Sequence, residues 1–556
     1  MDQRTLLAIS LSFLLLVSYQ YYMDSNAVVQ PAPQQIEQAQ IDSTDLQTSK
    51  EPVPSLVDGV QVGKGISGPV LLEPAPAMMT PSNPIAKGER VKFENSLVRG
   101  EVDQTGARVA SLSFLRHLDS LPPKGRPIQY INQDSREFFF SETGFLGAAG
   151  QDVPGRDTPW HLEGPDNLNG AGDLRFVWRN KQGISFEKTY SFKKDSYLFT
   201  VTDRVVNHSP QAIDLYHFAQ FVRVKPTAGD GAPAMAIADF EGPMGFLDDV
   251  RVQHTYEDLQ TADQRHKASR GWAGISDKFF LGALIPTDTV SNKNFYFDYD
   301  APAHRAGLVS DKRMVESGHD LSIQTQLFIG PKEVKVLERQ HLELNRAIDY
   351  GWFHFLAEPI VIVLLYLNSY FHNFGVAIIL LTLSMKIILF PLANKSYVSM
   401  NAMKKLQPKI EELKKKHGDN KQALNEEMMK LYQTHKVNPL GGCLPIVIQI
   451  PVFFALYKVL FLSVEMRHAP FMLWIHDLSV MDPYYVLPIL MGASMFFQSK
   501  LNPTPADPVQ AKIMMFLPLI FTFMFLTFPA GLVLYWLLNN VLSIAQQMYI
   551  LKKHPA

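Results

Sequence analysis

Residues 376–393, VAIILLTLSMKIILFPLA, are apolar enough to cross a bilayer and yet carry a lysine, Lys386, near their middle. An ammonium at the centre of a spanning helix costs about 2.5–3.5 kcal/mol on insertion scales, so such a residue normally faces protein or water and has a function. With position 374 as the outer end, Lys386 lies about 18 Å into the helix, past the midplane toward the cytoplasm. Thr382 precedes it by one turn on the same face.

Neither an aspartate nor a glutamate lies in the five spans that hydropathy predicts in the C-terminal third of the chain. These spans are 374–394, 443–463, 484–500, 511–528 and 530–550. An intramembrane cation without a carboxylate partner needs water, a lipid phosphate or an anion that binds transiently. Lys386 therefore predicts a hydrated cavity that opens toward the cytoplasm.

Polar residues also form a stripe along the last of these spans. Tyr535, Asn539, Ser543 and Gln546 fall within about 80° of one another on a helix with 100° per residue. Gln449 adds an amide to the second span. Such groups often only hydrogen-bond helices together, at about 0.6–2 kcal/mol per contact. For Gln449 or Ser543 taken singly, that structural role competes with a role in a groove.

The composition limits the partners and cofactors that the chain can use. A net charge of −2 and the lack of a long basic run give no reason to expect direct recognition of nucleic acid. The single cysteine, Cys443, excludes an intramolecular disulfide and a cysteine-based metal cluster. The histidines of the polar region lack metal-ligand spacing, and no paired carboxylates or nucleotide-binding motif can be identified. We therefore predict no cofactor, no metal ion and no enzymatic activity.

Composition and periodicity predict a multi-domain integral membrane protein with an α-helical membrane core and an all-β domain. Residues 1–23 predict a transmembrane anchor, and residues 24–85, rich in Gln, Pro, Ala and Ser, predict a flexible linker. Residues 86–335 alternate apolar and polar positions, which is typical of a large antiparallel β-sandwich. Residues 336–372 carry leucines at helical spacing and predict an amphipathic, interfacial helix. Residues 373–551 predict a core of five spans with a cytoplasmic helical hairpin at 395–437.

Loop charges predict the orientation of these spans. The loop between the first two of the five holds ten lysines and five acidic residues, so the positive-inside rule makes it cytoplasmic. The next loop has one arginine, no lysine and an interfacial Trp474, and is predicted to be external. Lys500 and Lys512 place the following loop inside, and Lys552 and Lys553 place the C-terminus inside. With the anchor included, six spans with both termini in the cytoplasm fit every loop.

Five segments lie in the same order as known motifs and span nearly all of residues 337–551: KKLQPKI, EEMMKLY, VNPLGGCLPIVIQIPVFFALY, WIHDLSVMDPYYVLPILMG and FPAGLVLYWLLNN. With these motifs the chain resembles the membrane core of the YidC family of bacterial membrane protein insertases. The N-terminal anchor and the external β domain resemble the form found in bacteria with two membranes, in which that domain is a β-supersandwich. The resemblance implies a protein of the inner membrane that inserts and helps fold helical membrane proteins, alone or with the Sec translocon.

The resemblance also implies a polar groove that is closed outward and open to the cytoplasm and to lipid. In the family one cation in the groove attracts the acidic external segment of a substrate. The usual residue is Arg, and here Lys386 keeps the charge but lacks the planar guanidinium. Thr382 and Tyr535 match groove positions, and Trp536 stands where relatives commonly have a second Tyr. The predicted groove residues are Lys386, Thr382, Gln449, Tyr535, Trp536, Asn539 and Ser543.

Ile450, Pro451 and Phe453 match the hydrophobic slide along which a substrate helix leaves the groove in this family. The expected partners are nascent and newly made inner-membrane proteins, the Sec translocon and the lipid bilayer. The C-terminal tail KKHPA is shorter than the basic tails that bind ribosomes in some members. Ribosome contact is therefore expected through the cytoplasmic loops.

Two other functions stay open at this point. A secondary transporter or channel would also place polar residues and a lysine inside the membrane, but it should show repeat symmetry and an acidic relay, and neither can be identified. A membrane-anchored carbohydrate-binding protein would instead use the β domain. Both alternatives fail if substrate helices crosslink to the groove while no small solute moves or reacts.

Overall fold

A computed structural model of the protein describes residues 87–553, except 149, 226–239, 289–292, 418–419, 436–443 and 503–507. The predicted anchor at 1–23, the predicted linker at 24–85 and Cys443 lie outside the described residues. Strands dominate the described chain up to residue 331, and helices follow from there.

Twenty strands are formed in the described residues. In chain order β1–β20 are Arg90–Glu94, Val98–Asp103, Arg108–Leu118, Pro127–Asn132, Phe139–Gly147, His161–Glu163, Asn167–Asn169, Gly172–Arg179, Ile184–Phe192, Leu198–Asn207, Ile213–Val224, Gly242–Leu247, Val250–Gln253, Gln264–Ala268, Gly271–Ser276, Phe280–Pro286, Lys293–Asp300, Ala303–Ser310, Arg313–Val315 and Asp320–Pro331. One sheet has the order β14-β17-β18-β11-β5-β4-β3-β2-β1-β7, with β19 paired to β11, and the other has the order β13-β12-β15-β16-β20-β10-β9-β8-β6.

The alternation of apolar and polar residues is the reason these segments form strands. In β9, Ile184, Phe186, Tyr190 and Phe192 are all buried, and β9 pairs antiparallel with β10. Side chains at every second position of a strand share one face, so the apolar set of each strand covers the core. The prediction of strands from the period of two is confirmed here.

The two sheets pack face to face through aromatic rings. Phe114 of β3 stacks on Phe280 of β16 with ring centroids 4.8 Å apart, and Phe93 of β1 stacks on Phe192 of β9 at 4.4 Å. Stacked and edge-on aromatic pairs add about 0.5–1.5 kcal/mol each beyond the area that they bury. The interior between the sheets is therefore a close-packed core.

A charged cluster is enclosed in the same core. The Asp203 carboxylate lies 3.6 Å from Lys188 Nζ and 2.9 Å from His217 Nε2, and all three side chains are buried. Burial, the largest single effect, would raise the pKa of Asp203, but the charge of Lys188 and the charge and hydrogen bond of His217 together outweigh it, and the pKa is lowered. The carboxylate is therefore held in its ionised form by its partners.

Ten α-helices are formed in the described residues. In chain order α1–α10 are Tyr256–Leu259, Val334–Glu338, His354–Phe371, Phe374–Lys405, Gln407–His417, Lys421–Thr434, Leu444–Leu462, Val486–Leu501, Pro508–Phe525 and Ala530–Lys553. Two described segments are long and apolar enough to cross a membrane, 351–371 and 374–405. The shorter apolar segments are 449–462, 486–501 and 512–525.

The structure divides the segment 336–372, which was predicted as one amphipathic, interfacial helix. The chain forms α2 and then breaks, because His341 and Glu343 adopt left-handed backbone angles. Two short 3-10 turns follow, Leu344–Ala347 and Gly351–Phe353, before α3 begins. The apolar residues at helical spacing are instead buried against the β domain, where the Trp272 indole donates to Glu343 O over 3.4 Å. Tertiary packing overrides the local helical pattern here.

Helix α4 extends beyond the predicted span 374–394. Its 32 residues are about 48 Å long, whereas the hydrocarbon core of a bilayer is about 30 Å thick. Its second half continues through residues 395–405, which were expected to begin the hairpin. There Tyr397 and Met400 pack against Ile550 of α10. The helix ends at Lys405 with Leu406 as its C-cap, since Pro408 has no backbone N–H to continue the ladder. Helices α5 and α6 then form the two arms of the hairpin.

Candidate functional site

Helices α4 and α10 are joined by a hydrogen bond between a lysine and a serine. Lys386 Nζ donates to Ser543 Oγ over 2.7 Å, and Ser543 Oγ donates to Asn539 O of its own helix over 2.7 Å. The ammonium has three donor hydrogens, and the contact with the neutral hydroxyl uses one of them. The site therefore holds the cation in place without neutralising it.

Thr382 lies on α4 one turn before Lys386 and is completely buried. Its hydroxyl donates to Ile378 O of the same helix over 2.6 Å. Serine and threonine side chains commonly satisfy themselves in this way inside apolar helices. The structure thus places Thr382 beside the lysine but joins its hydroxyl to the helix backbone.

A second polar contact joins α7 to α10. The Gln449 amide donates to the hydroxyl of Tyr535, and the Tyr535 side chain is almost completely buried. Tyr535 lies eight residues before Ser543, or about two helical turns, which is about 12 Å along α10. The predicted residues Lys386, Ser543, Gln449 and Tyr535 thus form two separate polar contacts along one helix.

Trp536 has aromatic neighbours. Its ring packs edge-on against Phe453 with centroids 4.6 Å apart and lies 5.2 Å from Phe525. Trp536 was predicted from the resemblance as a groove residue, and in the structure it contacts the predicted slide through Phe453. Ile450 of the slide is 45% exposed, and Pro451 lies inside α7.

Two further polar residues of α10 were missed from the sequence. Asn540 Nδ2 donates to Ser494 Oγ over 3.1 Å, and Gln547 Nε2 donates to Asn502 Oδ1 over 3.2 Å. Residues 540 and 547 are seven apart, so they share a face of α10 that is turned toward α8. The spacing of seven residues is a sequence signal for this face, but the predicted stripe that begins at Tyr535 does not include it.

The loop between α7 and α8 covers the first turn of α4. Asn373 accepts from Val376 N over 3.1 Å and thereby caps the helix, while its Nδ2 donates to Phe471 O over 2.9 Å. The Phe471 ring lies so close to Gly375 that a Cβ at this position would collide with it. Glycine is therefore required where the loop crosses the helix.

The same loop also covers the first turn of α10. Ala530 N donates to Val480 O over 2.7 Å, and Gly531 N donates to Leu478 O over 3.0 Å. The first N–H groups of a helix have no acceptor within the helix, and here carbonyl oxygens of the loop accept from two of them. The ends of α4 and α10 that precede Lys386 and Ser543 are thus closed by one loop.

Asp482 stabilises the part of this loop that leads into α8. Its carboxylate, which is completely buried, accepts from Trp474 Nε1 over 2.9 Å, from Tyr484 N over 3.0 Å and from Leu487 N over 2.8 Å. Charged acceptors of this kind form the stronger class of protein hydrogen bonds. Asp482 therefore joins the loop to the first turn of α8.

The β domain contacts the helical core at the start of this loop. The Arg467 guanidinium donates to Leu118 O and, over 3.0 Å, to Asp119 O. Glu465 accepts from Val334 N over 3.2 Å. Burial raises the pKa of Glu465, and the nearby charge of Glu333 adds to the effect.

Lys458 is a second lysine within an apolar helix, four residues before the end of α7. Its charge acts on Asp349, which precedes α3. Burial, the largest single effect, would raise the pKa of Asp349, but Arg251, the backbone N–H of Gly351 and the charge of Lys458 together lower it. A lysine this near a helix end can extend its ammonium toward the membrane surface.

Comparisons with known proteins identify the family. The description "60Kd inner membrane protein" matches residues 366–556, and "YidC periplasmic domain" matches residues 90–363. A Magnetococcus marinus protein named membrane protein insertase YidC is 54% identical and is matched over 100% of this chain and 99% of its own length. A Mesorhizobium japonicum protein of the same name is 35% identical over 99% of this chain and 95% of its own.

A solved structure, "Active YidC insertase crystal structure with the first transmembrane domain resolved", covers 83% of this chain and 92% of its own chain, with 18% identity and a TM-score of 0.36. The relatives define an inner-membrane protein that carries a periplasmic domain and acts on membrane proteins without being an enzyme. The chain belongs to the YidC family of membrane protein insertases. The resemblance that its motifs indicated is thereby confirmed.

Proposed function

We propose that this insertase receives substrate segments in a hydrophilic groove that opens to the cytoplasm, with Lys386 as the electrostatic receptor for acidic residues. The observation that carries the proposal is the 2.7 Å bond from Lys386 Nζ to Ser543 Oγ. A serine positions the ammonium and leaves its charge available, whereas a carboxylate would neutralise it. An acidic segment of the substrate then replaces the missing anion.

Elementary energetics support a groove of this kind. A polar segment that crosses about 30 Å of hydrocarbon must lose the hydration of every peptide group, and a wet groove that reaches part of the way shortens the dry distance. The groove in this proposal is formed by Lys386, Thr382, Gln449, Tyr535, Trp536, Asn539 and Ser543. Burial of the apolar substrate helix and the membrane potential drive the insertion.

The exit path follows from the aromatic cluster beside this groove. Ile450 is 45% exposed, and Phe453 packs on Trp536. In the proposal Ile450, Pro451 and Phe453 form a slide on which the substrate helix passes into lipid. Trp536 supports the slide through its contact with the Phe453 ring.

We further propose six spans with both termini in the cytoplasm. The division is an anchor at 1–23, a linker at 24–85, a periplasmic β-supersandwich at 86–335, an interfacial segment at 336–372 and the core at 373–551. The number of lysines in the loop after α4 supports this orientation. The hairpin of α5 and α6 is the proposed site of ribosome contact, and the Sec translocon is a proposed partner for larger substrates.

The test is insertion of a short membrane protein with an acidic external tail into vesicles that carry the full chain. Wild type is compared with Lys386→Arg and Lys386→Ala. Lys395→Ala serves as the matched control, because Lys395 is an exposed lysine of the same helix. The expected result is insertion by wild type, Lys386→Arg and Lys395→Ala, and a large loss with Lys386→Ala.

The loss with Lys386→Ala should shrink when the acidic residues of the substrate tail are neutralised, because the receptor then has no charge to bind. Insertion by Lys386→Ala at the wild-type rate would overturn the receptor role. A loss that is equal for acidic and neutral tails would assign Lys386 to hydration or structure of the groove instead.

A further inference from the structure

The loop between α7 and α8 carries two exposed apolar side chains at its tip. Met472 is 54% exposed and Leu473 is 75% exposed. Leu473 also has a backbone φ of 53°, in the left-handed region that leucine rarely adopts. Asparagine or glycine would suit this backbone better, and neither would place an apolar group at the tip.

The tip lies at the level of a helix end. Asn373 caps α4 and donates to the carbonyl of Phe471, the residue that precedes Met472. The tip is therefore close in space to the first turn of α4, because Met472 directly follows the residue that Asn373 contacts. Because Arg467 of the same loop contacts the β domain, and that domain is periplasmic in this family, this is the periplasmic surface of the bilayer.

The tip is held rigidly by hydrogen bonds. Phe471 N donates to Ile475 O over 3.0 Å, and Ile475 N donates to Met472 O over 3.1 Å. The next residue, Trp474, donates its indole N–H to the buried carboxylate of Asp482. The left-handed turn is thus imposed by the loop around it, and Leu473 is projected away from the protein.

We propose that Met472 and Leu473 form a wedge that enters the periplasmic leaflet of the bilayer, with phospholipid acyl chains as its partner. The five residues 471–475 carry no charge, so headgroup charge gives them no attraction and apolar contact does. Trp474 and the exposed Tyr484 and Tyr485 are residues of the kind that accumulate at the membrane interface. The surface continues along α8 through the exposed Ile489 and Leu490.

The experiment places a nitroxide spin label at position 473 of the full chain in vesicles of pure phospholipid. Leu473→Cys is made with Cys443→Ala, which removes the native cysteine. The controls are His476→Cys, exposed on the same loop, and Met314→Cys, exposed on β19 of the β domain. Collision rates are measured with molecular oxygen, which concentrates in lipid, and with a water-soluble nickel chelate.

If the tip lies in lipid, the label at 473 collides with oxygen several-fold more often than with the chelate. The labels at 476 and 314 then collide more often with the chelate than with oxygen. A label at 473 that matches the two controls overturns the proposal. Low collision rates with both reagents at 473 also overturn it, since they mean that protein rather than lipid covers the tip.

A second measurement tests the contribution of the native Leu473 side chain. The label is moved to Met472→Cys and compared with Leu473 present and with Leu473→Asn, because asparagine tolerates the left-handed backbone and lacks the apolar group. The label should leave the lipid in the asparagine variant. An unchanged preference for oxygen would show that Leu473 does not hold the tip in the membrane.

Discussion

Replacement of Asp482 by alanine should open the loop that closes the outer ends of α4 and α10. The buried carboxylate accepts from Trp474 Nε1, Tyr484 N and Leu487 N. Alanine leaves all three donors without this partner, and each buried donor without an acceptor costs about 1–3 kcal/mol. Three such donors give about 3 kcal/mol at the lower limit of that range.

The assay is amide hydrogen exchange of the purified chain in micelles, followed in peptides that contain Tyr484 and Leu487. A loss of about 3 kcal/mol in the free energy of local opening raises the exchange rate roughly a hundredfold, since every 1.4 kcal/mol is tenfold. Asp482→Asn, which keeps the shape but turns an amide donor toward some of the same N–H groups, should give a smaller rise. It also serves as the test variant if the alanine variant does not fold.

The matched control is Asp477→Ala on the same loop. The carboxylate of Asp477 is also buried, but it accepts hydrogen bonds from Ser479 N over 2.8 Å and from Ser479 Oγ over 2.7 Å, within its own turn. The control should leave the exchange at residues 484 and 487 unchanged. Unchanged exchange there in Asp482→Ala, or an equal rise in both variants, would refute the role given to Asp482.

Three further changes test other parts of the structure. Asp203→Ala leaves Lys188 charged in the β-domain core and should lower the free energy of unfolding by about 3–5 kcal/mol, read from denaturant unfolding. Tyr535→Phe removes the acceptor of the Gln449 amide and should cost about 1–3 kcal/mol, read from thermal unfolding in micelles. Burial raises the pKa of Glu465, so the folded chain keeps a proton that the unfolded chain has lost, and stability falls as pH rises from the ordinary glutamate pKa to the raised one. Glu465→Gln should remove this fall in a pH series of melting temperatures, and an identical pH series in both chains would contradict the assignment.

The local sequence pattern was sufficient to predict those strands and helices whose side-chain periodicity matches their secondary structure. The alternation in β9 and β10 predicts strands because each apolar residue must reach one core face. The lysine of α4 and the polar stripe of α10 were predicted to line one groove, and the bond between Lys386 and Ser543 brings two of these residues together. Hydropathy and helical spacing carry this information without any tertiary knowledge.

Tertiary contacts decided the features that the sequence did not reveal. The leucines after residue 336 have helical spacing, yet the chain turns at His341 and Glu343 because their neighbours pack on the β domain. The network around Asp482 joins residues up to eight positions apart through a loop that has no repeating pattern. No periodic pattern in the sequence predicts the contacts of Asp482, since they depend on the relative positions of the helix ends in space.

The choice of serine rather than a carboxylate beside Lys386 fits a receptor that must also release its substrate. A permanent carboxylate would attract the ammonium by about 4 kcal/mol at 4 Å in the dielectric of a protein surface, and an incoming acidic segment would have to displace it. A hydrogen bond from the ammonium to a hydroxyl is worth about 1.5–3 kcal/mol, so an acidic segment can compete with it. Once the substrate helix has moved into the bilayer, Ser543 Oγ can again accept a hydrogen bond from the Lys386 ammonium. In the proposed mechanism the serine therefore keeps the empty groove ordered while it leaves the cation reactive toward the next acidic segment.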